Sequence, residues 1–215
     1  MDSTKLKQIY LSASKFFIHK GYRQTQMIDI AKDVGMAAGS FYNYFTGKKA
    51  MFDFTIRCSF DDQYLDEEVV FPIEEINHDD VNVYFQGIIH QDIEQPLKEE
   101  NLAFEKLIGV VYDFISKYWS GIRILERNEV DWPALALFYY EERKQVFKMI
   151  DDYLKTGIEK GEIRQIDNIE YHTRLIIETV AWWGMHRRYD RMHNDIDNNV
   201  AKAMVVDVLS HAYKQ

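Results

Sequence analysis

Three hydrogen-bonding side chains near the N-terminus lie around a glycine turn, and their types suit the reading of DNA bases. Gln26 comes before the turn, whereas Ser40 and Asn43 follow it at a spacing of three residues. Asparagine pairs well with adenine in the major groove, and serine accepts more than one base. On a short helix held from behind, this set predicts direct contacts to base edges without specifying a DNA sequence.

A pair of lysines nearby has the chemistry of a phosphate clamp. Lys48 and Lys49 fall in the first turn of a predicted helix, where unpaired backbone N–H groups already attract anions. For Lys49 the alternative is a solvated surface charge without a partner. Thr25 has two compatible predicted roles, which are to cap the short helix that follows it and to contact a phosphate.

Two short helices around the turn must position these side chains. The first is predicted from its apolar residues, which are Ile28, Ile30, Ala31 and Val34. Gly35 suits the left-handed residue that ends this helix. The second is predicted from Ala38 to Tyr44. Its Phe41 and the following Phe45 are four residues apart, so they share one face and can anchor it inward.

This segment resembles the N-terminal DNA-binding domain of the TetR family of bacterial transcriptional regulators, over about residues 5–52. The residues that carry the resemblance are Thr25, Ile30, Ala31, Gly35, Gly39, Tyr42, Tyr44, Phe45 and Lys48. The resemblance implies that Lys48 meets the DNA backbone, together with Tyr42 or Tyr44. A plain three-helix subdomain would explain the apolar positions equally well, but it would leave Tyr42, Tyr44 and Lys48 together unexplained.

Two positions depart from the family pattern. Ala37 stands where the family usually has a capping Ser or Thr, and losing that hydroxyl costs about 1 kcal/mol. Ala38 replaces a residue that is often polar, although its methyl group can contact a thymine methyl. The expected base reading therefore shifts toward Gln26, Ser40 and Asn43. The complete predicted DNA-contacting set is Thr25, Gln26, Ala38, Gly39, Ser40, Tyr42, Asn43, Tyr44, Lys48 and Lys49.

Charge divides the chain near the end of this segment. Residues 1–57 hold nine Lys or Arg against four Asp or Glu, a net +5, whereas the remainder holds 17 against 31, a net −14. The basic head (residues 1–57) can contact phosphate, whereas the acidic body (residues 58–215) is repelled by it. We therefore expect a DNA-binding domain at residues 1–60 and an effector-binding and dimerisation domain at residues 61–215.

Composition favours a globular protein of the cytoplasm. The chain has 215 residues, of which 47% are hydrophobic and 28% are charged, as is usual for packed domains. Its apolar runs are interrupted by charge well before the roughly 20 residues of a membrane helix, and its N-terminus lacks the apolar core of a signal peptide. One cysteine excludes an internal disulfide framework. We expect no membrane partner and no cofactor.

Helical spacing continues through the body, and no convincing alternating strand run occurs. The expected fold class is all-α, with a three-helix helix-turn-helix head and a helical-bundle body, as the resemblance also implies. Further helices are predicted at Thr4–His19, from Lys48, and at Val81–Glu94, Leu97–Tyr118, Pro133–Lys160, Ile169–Arg188 and Asp195–Tyr213. Asn168 and Asp195 are candidate N-caps, and the acidic stretch 61–80 is expected to be a hinge or a loop.

Large aromatic side chains are frequent in the body. Small-molecule sites are mostly apolar clefts with a few placed polar groups, and in TetR-like regulators such a cleft binds an inducer. The candidate ligand-binding residues are Tyr112, Tyr118, Trp119, Phe138, Tyr139 and Trp182. Ordinary core packing is the alternative for each of them, and the sequence does not identify the effector.

A dimer is expected because a single head reads too few bases for useful specificity. Two recognition helices about 34–36 Å apart would read a palindromic site. Apolar stripes on the last two helices are the candidate contact, and they contain Leu175, Thr179, Trp182, Val200, Met204 and Val208. A four-helix contact of this kind is also the family's usual dimer. Burial within one subunit is the alternative.

No catalytic constellation is found, so an enzyme is not expected. His186 and His193 could share a helix face only if the helix continued between them, and no metal site is expected there. The sequence predicts a homodimeric repressor that leaves a palindromic operator when a small molecule binds its body. The alternative is a DNA-binding adaptor or DNA-organising protein whose body binds another protein.

Overall fold

The computed structural model describes the chain in four stretches, residues 3–61, 63–66, 69–192 and 195–215. Across these stretches the regular structure is helical, with isolated bridges in place of strands. The predicted all-α fold class is confirmed. Among the helices described, none is both long enough and apolar enough to span a membrane.

Contacts between residues divide the chain into two compact units. The first unit extends to Gln86 and also includes Ser120–Tyr139. The second unit consists of Gly87–Trp119 and Tyr140–Gln215. Because the chain leaves the first unit and later returns to it, this division differs from the boundary drawn after residue 60. That boundary concerned functions, and it remains a prediction.

The N-terminal part of the first unit contains a series of helices around α5. They are α1 (Ser3–His19), α2 (Gly21–Gln24), α3 (Met27–Asp33), α4 (Ala38–Phe41), α5 (Lys48–Phe60) and α6 (His78–Ile89), of which α6 belongs to this unit as far as Gln86. Helix α1 buries Leu6, Ile9, Ala13 and Phe17, which recur at the three- and four-residue spacing of a single helix face. Helix α5 is buried along most of its length, so it forms the centre of this part.

The helices on either side of Gly35 follow the prediction in order, but the second is shorter. Gly35 has a φ of 69°, the left-handed conformation expected after α3. Helix α4 ends at Phe41, so the end predicted at Tyr44 was wrong. Beyond Phe41 the chain continues in turns, in which Tyr44 N–H donates to Phe41 O at 3.0 Å. It then pairs with Ile73, whose N–H donates to Tyr44 O and whose carbonyl oxygen accepts Thr46 N–H.

The rest of the chain is helical and belongs mainly to the second unit. A π-helical turn (His90–Glu94) leads into α7 (Gln95–Leu97), α8 (Phe104–Lys117), α9 (Trp119–Arg127), α10 (Pro133–Lys160), α11 (Ile169–Gly184) and α12 (Asn198–Tyr213). Helix α9 from Ser120 onward and α10 as far as Tyr139 fall in the first unit. The sequence pattern did not indicate α2 or α9. It did predict both ends of α10.

Two helices in the middle of the chain have ends that differ from the prediction. The helix predicted at Val81–Glu94 begins at His78, and helical structure continues to Leu97. The helix predicted to start at Leu97 starts at Phe104 instead. Asn101 has a left-handed φ of 57°, which breaks the helical course between them.

The beginning and end of α11 also differ from the prediction. Asn168 precedes the helix as expected, but its φ of 54° is left-handed and its side chain makes no capping bond. The helix ends at Gly184 rather than at Arg188, and a 3-10 turn follows at His186–Tyr189. The predicted cap and the predicted end were therefore both wrong.

The N-terminus of α12 is capped two residues later than predicted. Asp197, not Asp195, accepts hydrogen bonds from the backbone N–H groups of Asn199 and Val200. This cap fixes the start of α12 against α8 and α11, with which it shares the core of the second unit. Fully buried members of that core include Leu107, Ile108, Tyr112, Ile150, Leu154, Ile176, Val180 and Ala201.

A buried asparagine ties α9 to the N-terminal helices within the first unit. Asn128 is only 2% exposed. Its Oδ1 accepts the backbone N–H of Tyr22, and its Nδ2 donates to Phe17 O at 3.3 Å and to Ile124 O at 2.7 Å. This arrangement needs a donor and an acceptor on one short side chain, which an amide supplies.

We expect Asn128→Asp to lower the free energy of unfolding by about 3 kcal/mol. The new carboxylate would face two carbonyl oxygens that had received N–H donors, and its buried charge would lack a cation. Urea unfolding at pH 7 measures the loss. Asn199→Asp makes the same change at an exposed position of α12 and should alter stability by less than about 0.5 kcal/mol. Equal losses in both variants would contradict the role of the buried amide.

Candidate nucleic-acid interface

The predicted base-reading groups lie on the exposed surface around α4, with Ser40 inside the helix and Asn43 two residues beyond its last residue. Ser40 and Asn43 are exposed, and so is Gln26 directly before α3. Gly39 is exposed beside Ser40, and Ala38 is half-buried at the first position of α4. One hydroxyl and two amides are therefore accessible from solvent, which is the first requirement for direct readout of base edges.

Aromatic packing behind α4 holds this face in place. Phe41 and Phe45 are completely buried, and their ring centroids lie 5.6 Å apart. Phe45 also meets Phe54 of α5 edge-on at 5.2 Å. Ala37 gives the helix no side-chain cap, as its residue type predicted. The one-turn helix therefore depends on this packing for its position.

The two tyrosines after α4 differ in accessibility. Tyr42 is 58% exposed, so its hydroxyl is free to reach a phosphate from the surface. Tyr44 is half-buried, and its ring meets Phe71 edge-on at 5.5 Å. Of the pair, Tyr42 has the better geometry for the backbone contact that the family resemblance implied.

Thr25 does not cap α3, so this prediction was wrong. Gln26 occupies the N-cap position, whereas Thr25 ends α2. The side chain of Thr25 is completely buried, and its Oγ1 donates to Gly21 O at 2.7 Å. The hydroxyl therefore closes α2 and is not presented to solvent, which is unfavourable for the predicted phosphate contact.

Lys48 joins the start of α5 to the end of α2. Its Nζ donates to Tyr22 O at 2.9 Å and to Thr25 O at 3.2 Å, and it lies 4.3 Å from the centroid of the Tyr22 ring. A positive charge is favourable beside the last carbonyls of a helix. An ammonium has three N–H donors, so these two bonds leave one donor for a phosphate.

Lys49 is committed to carboxylates instead of solvent. Its Nζ lies 2.9 Å from Asp53 and 2.9 Å from Glu75. Asp53 is 1% exposed and also accepts the backbone N–H of Ile76 at 3.1 Å. Burial lowers the pKa of Lys49, but hydrogen bonds to Asp53 and Glu75 outweigh it and raise the pKa above its usual value. This geometry favours a structural ion pair over the predicted phosphate contact.

Other lysines of the head contribute to folding as well as to charge. Lys5 Nζ donates to Val34 O at 2.6 Å, just after α3. Lys20 pairs with Asp29 at 3.2 Å on the surface. Exposed pairs of this kind contribute roughly 0–1 kcal/mol, so DNA phosphates can compete for Lys20. Two further exposed lysines of this part are Lys7 and Lys32.

Residues shortly after α9 contact the N-terminal helices within the first unit, and this contact was not predicted from the sequence. Trp132 stacks on Phe52 with ring centroids 5.1 Å apart and an angle of 10° between the rings. It also meets Tyr22 edge-on at 5.1 Å, while Asp131 pairs with Arg23. The available signal was a tryptophan directly before the proline that begins α10.

The aromatic candidates for an effector site are distributed over both units. Phe138 and Tyr139 lie in the first unit, where both rings contact Phe85. Those in the second unit are Tyr112, Tyr118, Trp119 and Trp182. Trp119 and Trp182 are half-buried, so they remain candidates for contact with a ligand.

Tyr112 and Tyr118 have the character of core residues. Tyr112 is completely buried, and its hydroxyl donates to Asn198 Oδ1 at 3.2 Å. Tyr118 is 3% exposed, and its hydroxyl donates to Asp92 Oδ2 at 2.8 Å. Burial raises the pKa of Tyr118 to about 12, so its hydroxyl stays protonated at neutral pH. Both hydroxyl groups are satisfied within the protein.

A pocket of about 360 Å³ opens elsewhere in the second unit. Its walls combine apolar and charged groups, among them Leu102, Leu107, Tyr153 and Lys160. The six aromatic residues predicted for an effector site are not part of its lining. The predicted residues and this pocket are therefore separate candidates.

The histidine pair considered from the sequence falls only partly within the described residues. His186 lies in the 3-10 turn after α11, whereas His193 lies outside the described stretches. Within those stretches, no group of three or more His, Cys, Asp or Glu side chains is arranged to hold a metal ion.

The apolar stripes predicted on the last two helices are largely exposed. The exposed fractions are 56% for Leu175, 62% for Val200, 38% for Met204 and 55% for Val208. Thr179 and Trp182 are half-buried on α11, and Tyr171, one turn before Leu175, is 74% exposed. Burial of these four apolar residues within one subunit is therefore excluded, and the second unit presents an apolar face to solvent.

Known proteins are similar to this chain in sequence and in fold. The model for bacterial regulatory proteins of the tetR family matches residues 9–53. The biofilm operon icaADBC HTH-type negative transcriptional regulator IcaR of Staphylococcus aureus (strain Newman) is 33% identical over 139 residues, which are 64% of this chain and 70% of that protein. The chain belongs to the TetR family. It is a DNA-binding transcriptional regulator.

Two further relatives cover nearly the whole chain. The fatty acid metabolism regulator protein of Bacillus subtilis (strain 168) is 26% identical over 214 residues, which are 94% of each protein. The ketosteroid transcriptional regulator KstR2 of Mycobacterium tuberculosis has a TM-score of 0.65 at 17% identity, covering 100% of this chain and 97% of that chain. The structural likeness shows that the fold is shared.

We expect adjacent alanine substitutions to separate phosphate binding from folding. Lys48→Ala should lower the slope of log affinity against log salt by about 1, because one phosphate contact is lost. Lys49→Ala should leave that slope unchanged but lower the free energy of unfolding by on the order of 2 kcal/mol, because Asp53 loses its cation. DNA titrations at several KCl concentrations and urea unfolding measure the two effects. A changed slope in Lys49→Ala would refute this assignment.

Proposed function

We propose that the protein is a homodimeric repressor that binds a palindromic operator and leaves it when a small molecule binds the second unit. The observation that carries the proposal is the exposed surface at α4, where Ser40 in the helix and Asn43 two residues beyond its end face solvent in front of buried aromatic rings. The Staphylococcus aureus relative is named as a negative transcriptional regulator, which supports repression.

Dimerisation is supported by the size of the reading surface and by the exposed apolar face. A helix of four residues reaches few base pairs, whereas two copies related by a two-fold axis would read successive half-sites. In such a dimer the stripes on α11 and α12 of each copy would cover those of the other. The apolar face, whose exposure to water is unfavourable, would then be buried in the dimer interface.

The release mechanism that we propose is a shift between two conformers. A small molecule bound in the second unit would favour a dimer in which the two copies of α4 are wrongly spaced for successive major grooves. Half-buried Trp119 and Trp182 offer aromatic surface to such a molecule. The effector must bind the released conformer more tightly than the DNA-bound one, since otherwise it shifts nothing.

Selection of bound fragments from the source genome, followed by footprinting, tests operator binding. We expect a protected palindrome whose half-sites are centred one helical turn, or a multiple of it, apart. Asn43→Ala should weaken binding to this site about 10–100-fold and relax the preference at one base pair of each half-site. Gln145→Ala, an exposed amide on α10, should leave affinity unchanged. Uniform weak binding without a palindrome would overturn the proposal.

Two exposed leucines provide a matched test of the dimer. Leu175→Glu places a charge in the proposed interface, so we expect a monomer at micromolar concentration and loss of cooperative operator binding. Leu137, which is 62% exposed in the first unit, is the control, and Leu137→Glu should remain dimeric. Sedimentation velocity measures both proteins. A wild-type monomer, or a dimer that survives Leu175→Glu, would exclude this interface.

A further inference from the structure

A cluster rich in hydrogen-bond donors lies beyond the end of α11 in the second unit. It contains the adjacent arginines Arg187 and Arg188 in the 3-10 turn His186–Tyr189. Arg187 is 3% exposed, and Arg188 is half-buried. Two guanidinium charges are thus largely withdrawn from water at neighbouring positions, which is unfavourable unless acceptors or a counter-charge compensate for it.

The donors of this cluster converge on a single side-chain acceptor. Oδ1 of Asn198 receives the hydroxyl of Tyr112 at 3.2 Å, the hydroxyl of Ser116 at 3.1 Å and Nη2 of Arg187 at 3.0 Å. A carbonyl oxygen has two lone pairs. Three donors therefore compete for it, although the Tyr112 hydroxyl also has Trp183 O at 3.3 Å and Asn198 O at 3.4 Å as acceptors. The acceptors in this cluster are thus uncharged oxygens, and none of those named is a carboxylate that would balance the arginines.

Arg187 is satisfied by backbone carbonyls rather than by a carboxylate. Its Nε donates to Trp183 O and its Nη1 donates to Ile196 O, both at 2.6 Å. Trp183 is in the last turn of α11, where a helix end favours a cation. Arg187 is therefore held in place, and its positive charge acts on the adjacent Arg188 and on any group bound beside it.

Arg188 has donors to spare. Its Nε donates to Gly184 O at 3.2 Å and its Nη2 donates to Ser116 Oγ at 3.0 Å. Among the described residues these bonds use two of the five N–H groups of a guanidinium. Its Cζ lies 5.4 Å from the ring centroid of Trp119, which in turn packs against Tyr189 at 5.6 Å. The spare donors thus border aromatic surface.

The charge balance around Arg188 is positive. In the described part of the chain, its recorded partners are a carbonyl, a hydroxyl and an aromatic ring rather than a carboxylate. Burial, and then the positive charge of Arg187, lowers the pKa of Arg188 below its usual value. The guanidinium remains protonated at neutral pH all the same. A bound anion would offset this unfavourable electrostatic environment.

We infer that Arg188 binds the oxyanion of a small molecule, a carboxylate or a phosphate, with Arg187 as a fixed supporting charge and Trp119 as an aromatic wall. The planar fork of a guanidinium matches two oxygens of either group. As the binding point of an effector, the site rests on the proposed function, but anion binding itself is a property of the protein without DNA.

Binding of simple oxyanions to the full chain tests this inference in the absence of DNA. The probes are inorganic phosphate, phenyl phosphate and benzoate, with uncharged benzamide as the control, all at one ionic strength set with KCl. Calorimetry and tryptophan fluorescence measure binding. We expect saturable binding of at least one oxyanion, with benzamide at least about tenfold weaker. Preference for phenyl phosphate or for benzoate identifies the phosphate or the carboxylate source.

Three arginine variants locate the site. Arg188→Gln should weaken oxyanion binding about tenfold or more, and Arg188→Lys should weaken it several-fold, because the charge remains but the fork is lost. Arg191→Gln removes an exposed arginine three positions later and should bind as the wild type does. Thermal unfolding confirms that each variant is folded. If Arg188→Gln does not fold, the lysine variant decides the result.

The inference is overturned by the absence of saturable oxyanion binding in the wild type. It is overturned equally by unchanged binding in Arg188→Lys, or by the same loss in Arg191→Gln. Operator binding without any probe is measured separately in the footprinting experiment. Failure of the anion site is therefore distinguishable from failure of the proposed repressor function.

Discussion

A helix of one turn cannot keep its shape in water, because nucleation is more unfavourable than so few hydrogen bonds are favourable. Helix α4 has four residues and no side-chain cap, and yet Ser40 within it and Asn43 just beyond it are predicted to read DNA. Its conformation is therefore imposed by tertiary packing. Phe41 and Phe45 are held against Phe54 of α5, so α5 determines where Ser40 and Asn43 stand. A substitution in the packing behind α4 would therefore displace Ser40 and Asn43 without altering either residue.

The same constraint explains how the lysines of the head are used. Lys48 holds the end of α2 through two carbonyl oxygens, and Lys49 neutralises the buried Asp53. A net charge of +5 for residues 1–57 therefore overstates the charge that is available to phosphate. Part of it stabilises the support on which α4 depends. Counting basic residues identifies a nucleic-acid-binding region, but it does not identify the contacts.

Features that depend on neighbouring residues could be predicted from the sequence. The buried face of α1, the left-handed Gly35 and the inward pair of Phe41 and Phe45 all follow from spacing within a few positions. The exposed stripe on α12, at Val200, Met204 and Val208, has the same origin. The helical period fixes which side chains share a face, and this information is local.

Features that depend on distant partners could not be predicted. The chain that follows α4 pairs through its backbone with the distant Ile73, and the role of Lys49 is set by Glu75 as well as by Asp53. Thr25 was wrongly predicted to cap α3, because its hydroxyl donates to Gly21 O in α2 instead. One sequence contains no record of which distant residue will be adjacent, so roles that depend on such pairs stay open until the fold is known.

In the body of the protein the net charge is negative, whereas the local charge around Arg187 and Arg188 is positive. The chain after residue 57 carries −14, but salt screens exposed charges beyond about 10 Å at 0.1 M. Arg187, at the adjacent position, therefore matters more to Arg188 than distant surface carboxylates do. Arg188 also donates to Gly184 O, at the end of the helix that bears the exposed Leu175. An oxyanion bound to the spare donors of this guanidinium, as we infer, would lie beside the end of α11, so that occupation of a small site would reach a helix proposed to join two subunits.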